Sequence, residues 1–144
     1  GRFGILTVVT DEDLRAELAR LRRRRRLRRD GSSLALIEVD LRGEITAWNH
    51  QAEVVFGWTE AEVLGQSIAV LVTPGGRARS EAHMLAVLRG EPRTGRWCNV
   101  RKDGAQIVCE WNHTVLRDEH GAPESVACEA RDVTAEAARS GVRR

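Results

Sequence analysis

The chain has 144 residues, 42% of them hydrophobic and 31% charged, enough for one compact domain with a modest core and too few for two. Its apolar runs stop after a few residues, as at Ala69, Val70, Leu71 and Val72, so no segment is expected to cross a bilayer, and no signal-peptide pattern opens the chain. The net charge of +2 divides unevenly: residues 1–30 carry ten arginines against five acidic side chains, whereas 31–144 carry thirteen basic residues against sixteen acidic ones.

Residues 1–10 read as a short apolar strand through Phe3, Ile5, Leu6, Val8 and Val9. Asp11, Glu12 and Asp13 then form an acidic first turn suited to a helix N-terminus. That helix, expected over 11–30, sets Leu14, Leu18 and Leu21 on one stripe, which Arg25 and Arg28 interrupt after about two turns. Its arginine tract, Arg22 to Arg26 with Arg28 and Arg29, holds the whole basic excess. The body of the chain therefore offers no positive surface suited to nucleic acid, and the tract reads as a solvated helical linker, with nucleic acid or anionic lipid as the alternatives. Asp30, Gly31, Ser32 and Ser33 break the helix, and the compact domain is expected to begin there.

Strands 34–39 and 44–48 flank a turn containing Gly43, an opening hairpin. Asn49 can cap a helix over 51–56 that Gly57 ends. Thr59 and Glu62 form a capping box for a second short helix closed by Gly65. Pro74, Gly75 and Gly76 read as a loop, followed by a helix over 77–89 stopped by Gly90, Glu91 and Pro92. Strands follow at 96–101, 106–116 and 124–131. Asp103 and Gly104 give the first connection its hairpin signal, and Asp118 to Gly121 form the second. Strand 106–116 alternates most clearly: Ile107, Cys109, Trp111, His113 and Val115 share one side, taken as the inner face, and Val126, Cys128 and Ala130 form the matching set on the last strand. Cys98 falls on the opposite alternation and is expected outside. The order implies an α+β domain, a five-stranded antiparallel sheet with short helices on one face.

Three cysteines without CxxC spacing argue against a disulfide framework or a four-thiolate zinc site, and for a reducing, cytoplasmic setting. The chain lacks GxSxG, HExxH, P-loop and GxGxxG patterns, so no enzyme activity is expected. His50, at a helix start, and His120, in a turn, are expected to face solvent.

Four groups of residues resemble the PAS family in its order and intervals: Asp40, Gly43, Ile45, Trp48 and Asn49; Ala52, Glu53, Phe56, Gly57, Trp58, Ala61, Glu62 and Gly65; Arg101, Lys102, Asp103 and Gly104; and Arg131, Asp132, Val133 and Thr134. The resemblance spans about residues 32–134. It implies a PAS-like fold over 31–134, preceded by a linker helix over 11–30 and followed by the start of a second linker at 135–144, with a turn of helix over 135–139. Residues 1–11 look like a shortened copy of 121–132. The resemblance thus implies a residual strand of a preceding PAS-like unit at 1–10, and a tandem, multi-domain bacterial signalling protein whose output domain, a kinase, cyclase or regulator, lies outside this chain.

The resemblance also bears on cofactors. The light-sensing branch of the family needs an adduct-forming cysteine in an Asn-Cys-Arg motif, which is absent, so flavin adduct chemistry is disfavoured. Haem-binding members place a histidine on the long helix. Here that position falls on Ser80, and His83 lies one turn further along, leaving it a weak candidate haem ligand. No other metal ligand is assigned, because no local spacing supports a site from His83, His113, Cys109 and Cys128.

From the residues, Trp97, Cys109, Trp111, His113 and Cys128, with His83, Met84, Val87 and Val126, are the candidates for lining a small-molecule pocket between sheet and helices. The alternative is an ordinary packed core. Leu14, Leu18, Leu21, Arg131, Asp132 and Thr134 are the candidates for dimer contact and signal relay. The leading expectation is a sensory, signal-transducing module, homodimeric, that relays ligand or partner binding through its flanking helices to an output domain. The alternatives are a ligand-free interaction or dimerisation domain and a haem-based gas or redox sensor.

Overall fold

The computed structural model of the chain describes residues 9–90 and 94–140, except for side chains over 24–30. The strand expected over 1–10 lies, but for its last two residues, outside the described residues, as do the stop signals at Glu91 and Pro92 and the last four residues of the expected C-terminal linker.

Helix α1 (Asp11–Asp30) begins at a reciprocal cap: Thr10 N–H donates to Asp13 Oδ2 at 3.2 Å and Asp13 N–H to Thr10 Oγ1 at 3.1 Å. Two strands follow, β1 (Ala35–Asp40) and β2 (Ile45–Trp48). Their turn is closed by the Asp40 carboxylate, which accepts from the N–H groups of Arg42 and Glu44, with Gly43 at φ +81° as the expected turn requires. Helices α2 (His50–Phe56) and α3 (Glu60–Val63) come next, then two 3-10 turns, Ile68–Leu71 and Pro74–Gly76, and helix α4 (Arg77–Leu88). Strands β3 (Thr94–Val100), β4 (Gln106–Arg117) and β5 (Pro123–Asp132) lead to helix α5 (Thr134–Arg139).

The sheet order is β2-β1-β5-β4-β3, antiparallel throughout, so the first strand and the last lie side by side at its centre. Short helices gather over the inner face, the expected α+β architecture. Along β4, Ile107, Cys109, Trp111 and His113 are buried while Glu110, Asn112 and Thr114 are exposed, the period-two pattern of a half-buried strand. Facing them across the ladder are Ala130 and Cys128 on β5, then Ala35 and Ile37 on β1. Trp48 and Phe56 close the other end of the core with ring centroids 5.7 Å apart.

Several boundaries differ from the sequence expectation for local reasons. Strand β3 runs 94–100 rather than 96–101, because Arg101 N–H donates to Ala105 O inside the turn. Gly65 is not the cap of α3. Leu64 is, and Gly65, at φ +83°, turns the chain so that its N–H donates to Ile45 O beside β2. The loop expected at Pro74 is a 3-10 turn, and the turn at Ile68–Leu71, capped by Ser67, was not anticipated.

Asn49 ties the first strand to the first helix of the core. Its Oδ1 accepts from Leu36 N–H and from Ala52 N–H, both at 2.9 Å, and its Nδ2 donates to Leu34 O at 2.9 Å, all with the side chain buried. One residue thereby serves as helix cap and as a substitute strand rung. Replacing Asn49 with alanine strands two donors and an acceptor away from water and should cost roughly 2 kcal/mol or more in urea unfolding. Asn49→Asp keeps the acceptor and should cost less; equal midpoints for Asn49→Ala and the parent would contradict this role.

Candidate functional site

Between β3, β4, α4 and the first 3-10 turn lies a cavity of about 30 Å³, lined by Ile68, Leu71, Val72, Ser80, His83, Met84, Trp97, Asn99, Trp111 and His113. Its back wall is one hydrogen-bonded clasp: Trp111 Nε1–H donates to Asn99 Oδ1 at 2.9 Å, and Asn99 Nδ2 donates to Leu71 O at 3.1 Å. Asn99 is 3% exposed. It joins β3, β4 and the 3-10 turn while satisfying an indole that would otherwise be a buried unpaired donor.

The rings form a file from the core towards the surface. Phe56 stacks on Trp111 at 5.8 Å, Trp111 on His113 at 5.7 Å, His113 meets His83 edge-on at 5.1 Å, and His83 lies 4.9 Å from Trp97. The Arg79 guanidinium sits 4.8 Å over Trp97 and ends the file. His83 Nε2 is buried without a hydrogen-bond partner, and burial together with the Arg79 charge lowers the His83 pKa below 6.5.

Of the residues expected to line a pocket, His83, Met84, Trp97, Trp111 and His113 do meet around this cavity. Val87, Cys109, Val126 and Cys128 do not: they lie in the packed core. Burial pushes both thiols, Cys109 and Cys128, up to about 12, so neither is a thiolate at neutral pH. Cys98 is exposed on the outer face, and all three cysteines are free. Sequence reasoning missed Ile68, Leu71, Val72 and, above all, Asn99. The available signal was its place two residues beyond Trp97, on the same side of the strand. Among the described residues no group of three or more His, Cys, Asp or Glu is placed to hold a metal ion, and no helix is long and apolar enough to cross a membrane.

A haem does not fit these residues. The rings of His83, His113 and Trp97 pack on one another where a macrocycle would have to lie, and about 30 Å³ is a tenth or less of an ordinary ligand pocket.

The start of α5 is hydrogen-bonded to β4. Val133 N–H donates to Val108 O at 2.8 Å, Val108 N–H donates to Thr134 Oγ1 at 3.0 Å, and Thr134 donates through N and Oγ1 to Asp132 Oδ1 at 2.9 and 2.6 Å. An outer-face ladder runs alongside it, Arg96 to Glu110 at 3.5 Å, Glu110 to Arg131 at 3.8 Å and Arg131 to Glu136 at 3.1 Å. At the same end of β4, the turn after β3 holds α2: the Arg101 guanidinium donates to Val54 O and Val55 O, Lys102 N–H to Phe56 O, and the Lys102 ammonium pairs with Glu62. That ammonium, with the Thr59 cap, holds the Glu62 carboxyl down to about 2.

The sequence matches the PAS fold family over residues 22–133. The chain belongs to the PAS family. Solved PAS structures share its fold. A PAS domain from Colwellia psychrerythraea superposes with a TM-score of 0.73 at 22% identity, covering 80% of this chain and 98% of that one. The PAS domain of an HTR-like protein from Haloarcula marismortui gives 0.69 at 20%, covering 84% and 98%. A LOV protein of Rhodobacter sphaeroides gives 0.68 at 17%, covering 85% and 73%. At these identities the likeness is one of fold. No curated protein matches the chain.

The histidine supplies a pH test. Because the folded His83 binds its proton less readily than the unfolded chain, stability is complete above the ordinary histidine pKa and falls as the pH drops below it. Between about pH 7 and 5, His83→Gln should lose less thermal stability than the parent chain. Equal losses in the two proteins would contradict the burial of His83 in the ring file.

Proposed function

We propose that this PAS domain is a cytoplasmic sensory, signal-transducing module in which β4 carries a change from the cavity wall to α5 and onward to an output domain. The observation that carries the reading is that one strand does both jobs. Trp111 and His113 form the cavity wall, and Val108, on the same strand, is bonded on both its N–H and its C=O to the segment that opens α5. A shift of β4 that alters the Trp111 clasp also acts on those two bonds, so the cavity and α5 are coupled through one strand. Arg131, Asp132 and Thr134 act here as the relay, and the input is a small occupant or a docked partner that favours one arrangement of β4. The three free cysteines accord with a reducing compartment.

A ligand-free interaction domain is the second reading, and the size of the cavity favours it: about 30 Å³ is the share of one water molecule. In that case a partner alone supplies the input. Under either reading a second copy associates through the exposed stripe of α1, Leu14, Leu18 and Leu21. Leu18→Glu should return a dimeric chain to monomer in light scattering; an unchanged mass would place the contact elsewhere.

Loosening the clasp tests the relay directly. Asn99→Leu removes both of the Asn99 hydrogen bonds and should raise amide hydrogen exchange at Val108 and over 134–139 by roughly tenfold, a local opening cost smaller by about 1.4 kcal/mol. A change confined to the neighbours of Asn99 would sink the relay.

A further inference from the structure

The two edges of the sheet are finished differently. At the start of β2, Ile45 N–H donates to Gln66 O at 2.8 Å, Gly65 N–H to Ile45 O at 2.9 Å and Ile68 N–H to Gly43 O at 2.9 Å, so the chain itself covers that edge. At β3 no described residue does so. Cys98 stands opposite Val108, whose N–H and C=O are taken by Thr134 and Val133, which makes this a non-hydrogen-bonded pair. By alternation Thr94, Arg96 and Val100 also turn their N–H and C=O groups to the open edge, and among the described residues none of these groups has a partner. Edges are usually blunted by proline, lysine or a bulge; β3 has no proline, no lysine and no register shift, and Thr94, Arg96 and Cys98 are exposed.

We propose that β3 pairs antiparallel with β3 of a second copy of this chain across a two-fold axis at Trp97, joining the two sheets edge to edge. This contact does not involve α1. With the axis there, Arg96 faces Cys98 and Thr94 faces Val100 of the other copy, so every outward N–H and C=O of the strand finds its complement. Moving the axis to Arg96 sets two arginines opposite each other and leaves Val100 beyond the end of the other strand; moving it to Cys98 does the same to Thr94. Trp97, half-buried at the outer end of the ring file, meets Trp97 of the other copy in the closer kind of antiparallel pair, with Cα atoms about 4.5 Å apart. The ring files of the two copies then end on each other. The basic groups nearest the axis are Arg79 and Arg96 of each copy. Arg96 is held by its own Glu110 at 3.5 Å and Arg79 by its own Trp97 ring at 4.8 Å, and the repulsion left over is screened by salt. A single strand pair is weak in water, but it suffices where another contact or a longer chain holds two copies together at a high effective concentration.

Amide exchange read by NMR tests the pairing in the Leu18→Glu protein, where the α1 stripe is spoiled and cannot supply the contact. Between about 0.05 and 1 mM protein, the Arg96, Cys98 and Val100 amides should slow by roughly tenfold, while those of Trp97 and Asn99, already bonded to β4, stay as they are. The slowing should grow as salt is added. Cys98→Pro removes an outward donor without touching the ladder to β4 and should abolish the slowing, with the Trp97 and Asn99 amides reporting that the strand is intact. The axis is tested by oxidation: an Arg96→Cys, Cys98→Ser protein should cross-link to the Cys98 protein faster than either does to itself. Outward amides that exchange at one rate over the whole concentration range, or that slow equally in Cys98→Pro, overturn the pairing. Faster cross-linking of the Cys98 protein to itself overturns the axis at Trp97. A light-scattering mass unchanged by Leu18→Glu counts against the α1 contact alone and leaves this one standing.

Discussion

The hydrogen bond from the Trp111 indole to Asn99 is the constraint on which the interior depends. A tryptophan on the inner face of a small sheet brings a large apolar area and a donor that cannot be left dry. Asn99 satisfies that donor and spends its own amide on Leu71 O, so the ring is held against Phe56 and His113 and the 3-10 turn is drawn down onto the sheet. The hollow that remains, about 30 Å³, is what these side chains leave over. The hollow is narrowed by these packed rings, which is why the haem-sensor alternative finds no support in its geometry.

The same strand places wall and exit within a few residues of each other. Trp111 and His113 project inwards while Val108, on the opposite alternation, is bonded just past the end of β5 to the start of α5. Exposed ion pairs such as Arg131 with Glu136 contribute little by themselves. The backbone bonds and the Thr134 hydroxyl are the stiffer link, because they constrain the chain path rather than the ends of flexible side chains. The turn that leads into β4 is fastened too, by Arg101 and Lys102 on the carbonyls of α2, so the start of β4 is tied to both α2 and α5.

Much of this was legible in the sequence. The alternation around Trp111 gave the inner face of β4, Asp103 and Gly104 gave the hairpin, and Asn49 announced a helix cap, although its bonds to β1 needed the fold. The 3-10 turn at Ile68–Leu71 escaped because four residues carry no helical period; the Ser67 cap was its only local sign. Asn99 escaped because period-two reading sends polar side chains outward, and a buried amide is justified only by partners distant in sequence. Cys109, Cys128, Val87 and Val126 were assigned to the right interior and the wrong part of it. Periodicity says which face a side chain occupies, not where along that face a cavity falls.

The most direct test of the account is an electron-density map of the space between β4 and α4. The packed rings predict the Trp111 indole on Asn99, the His83 and His113 rings edge to face, and no occupant larger than a water molecule. An organic molecule lodged there, with Trp111 turned away from Asn99, would contradict it.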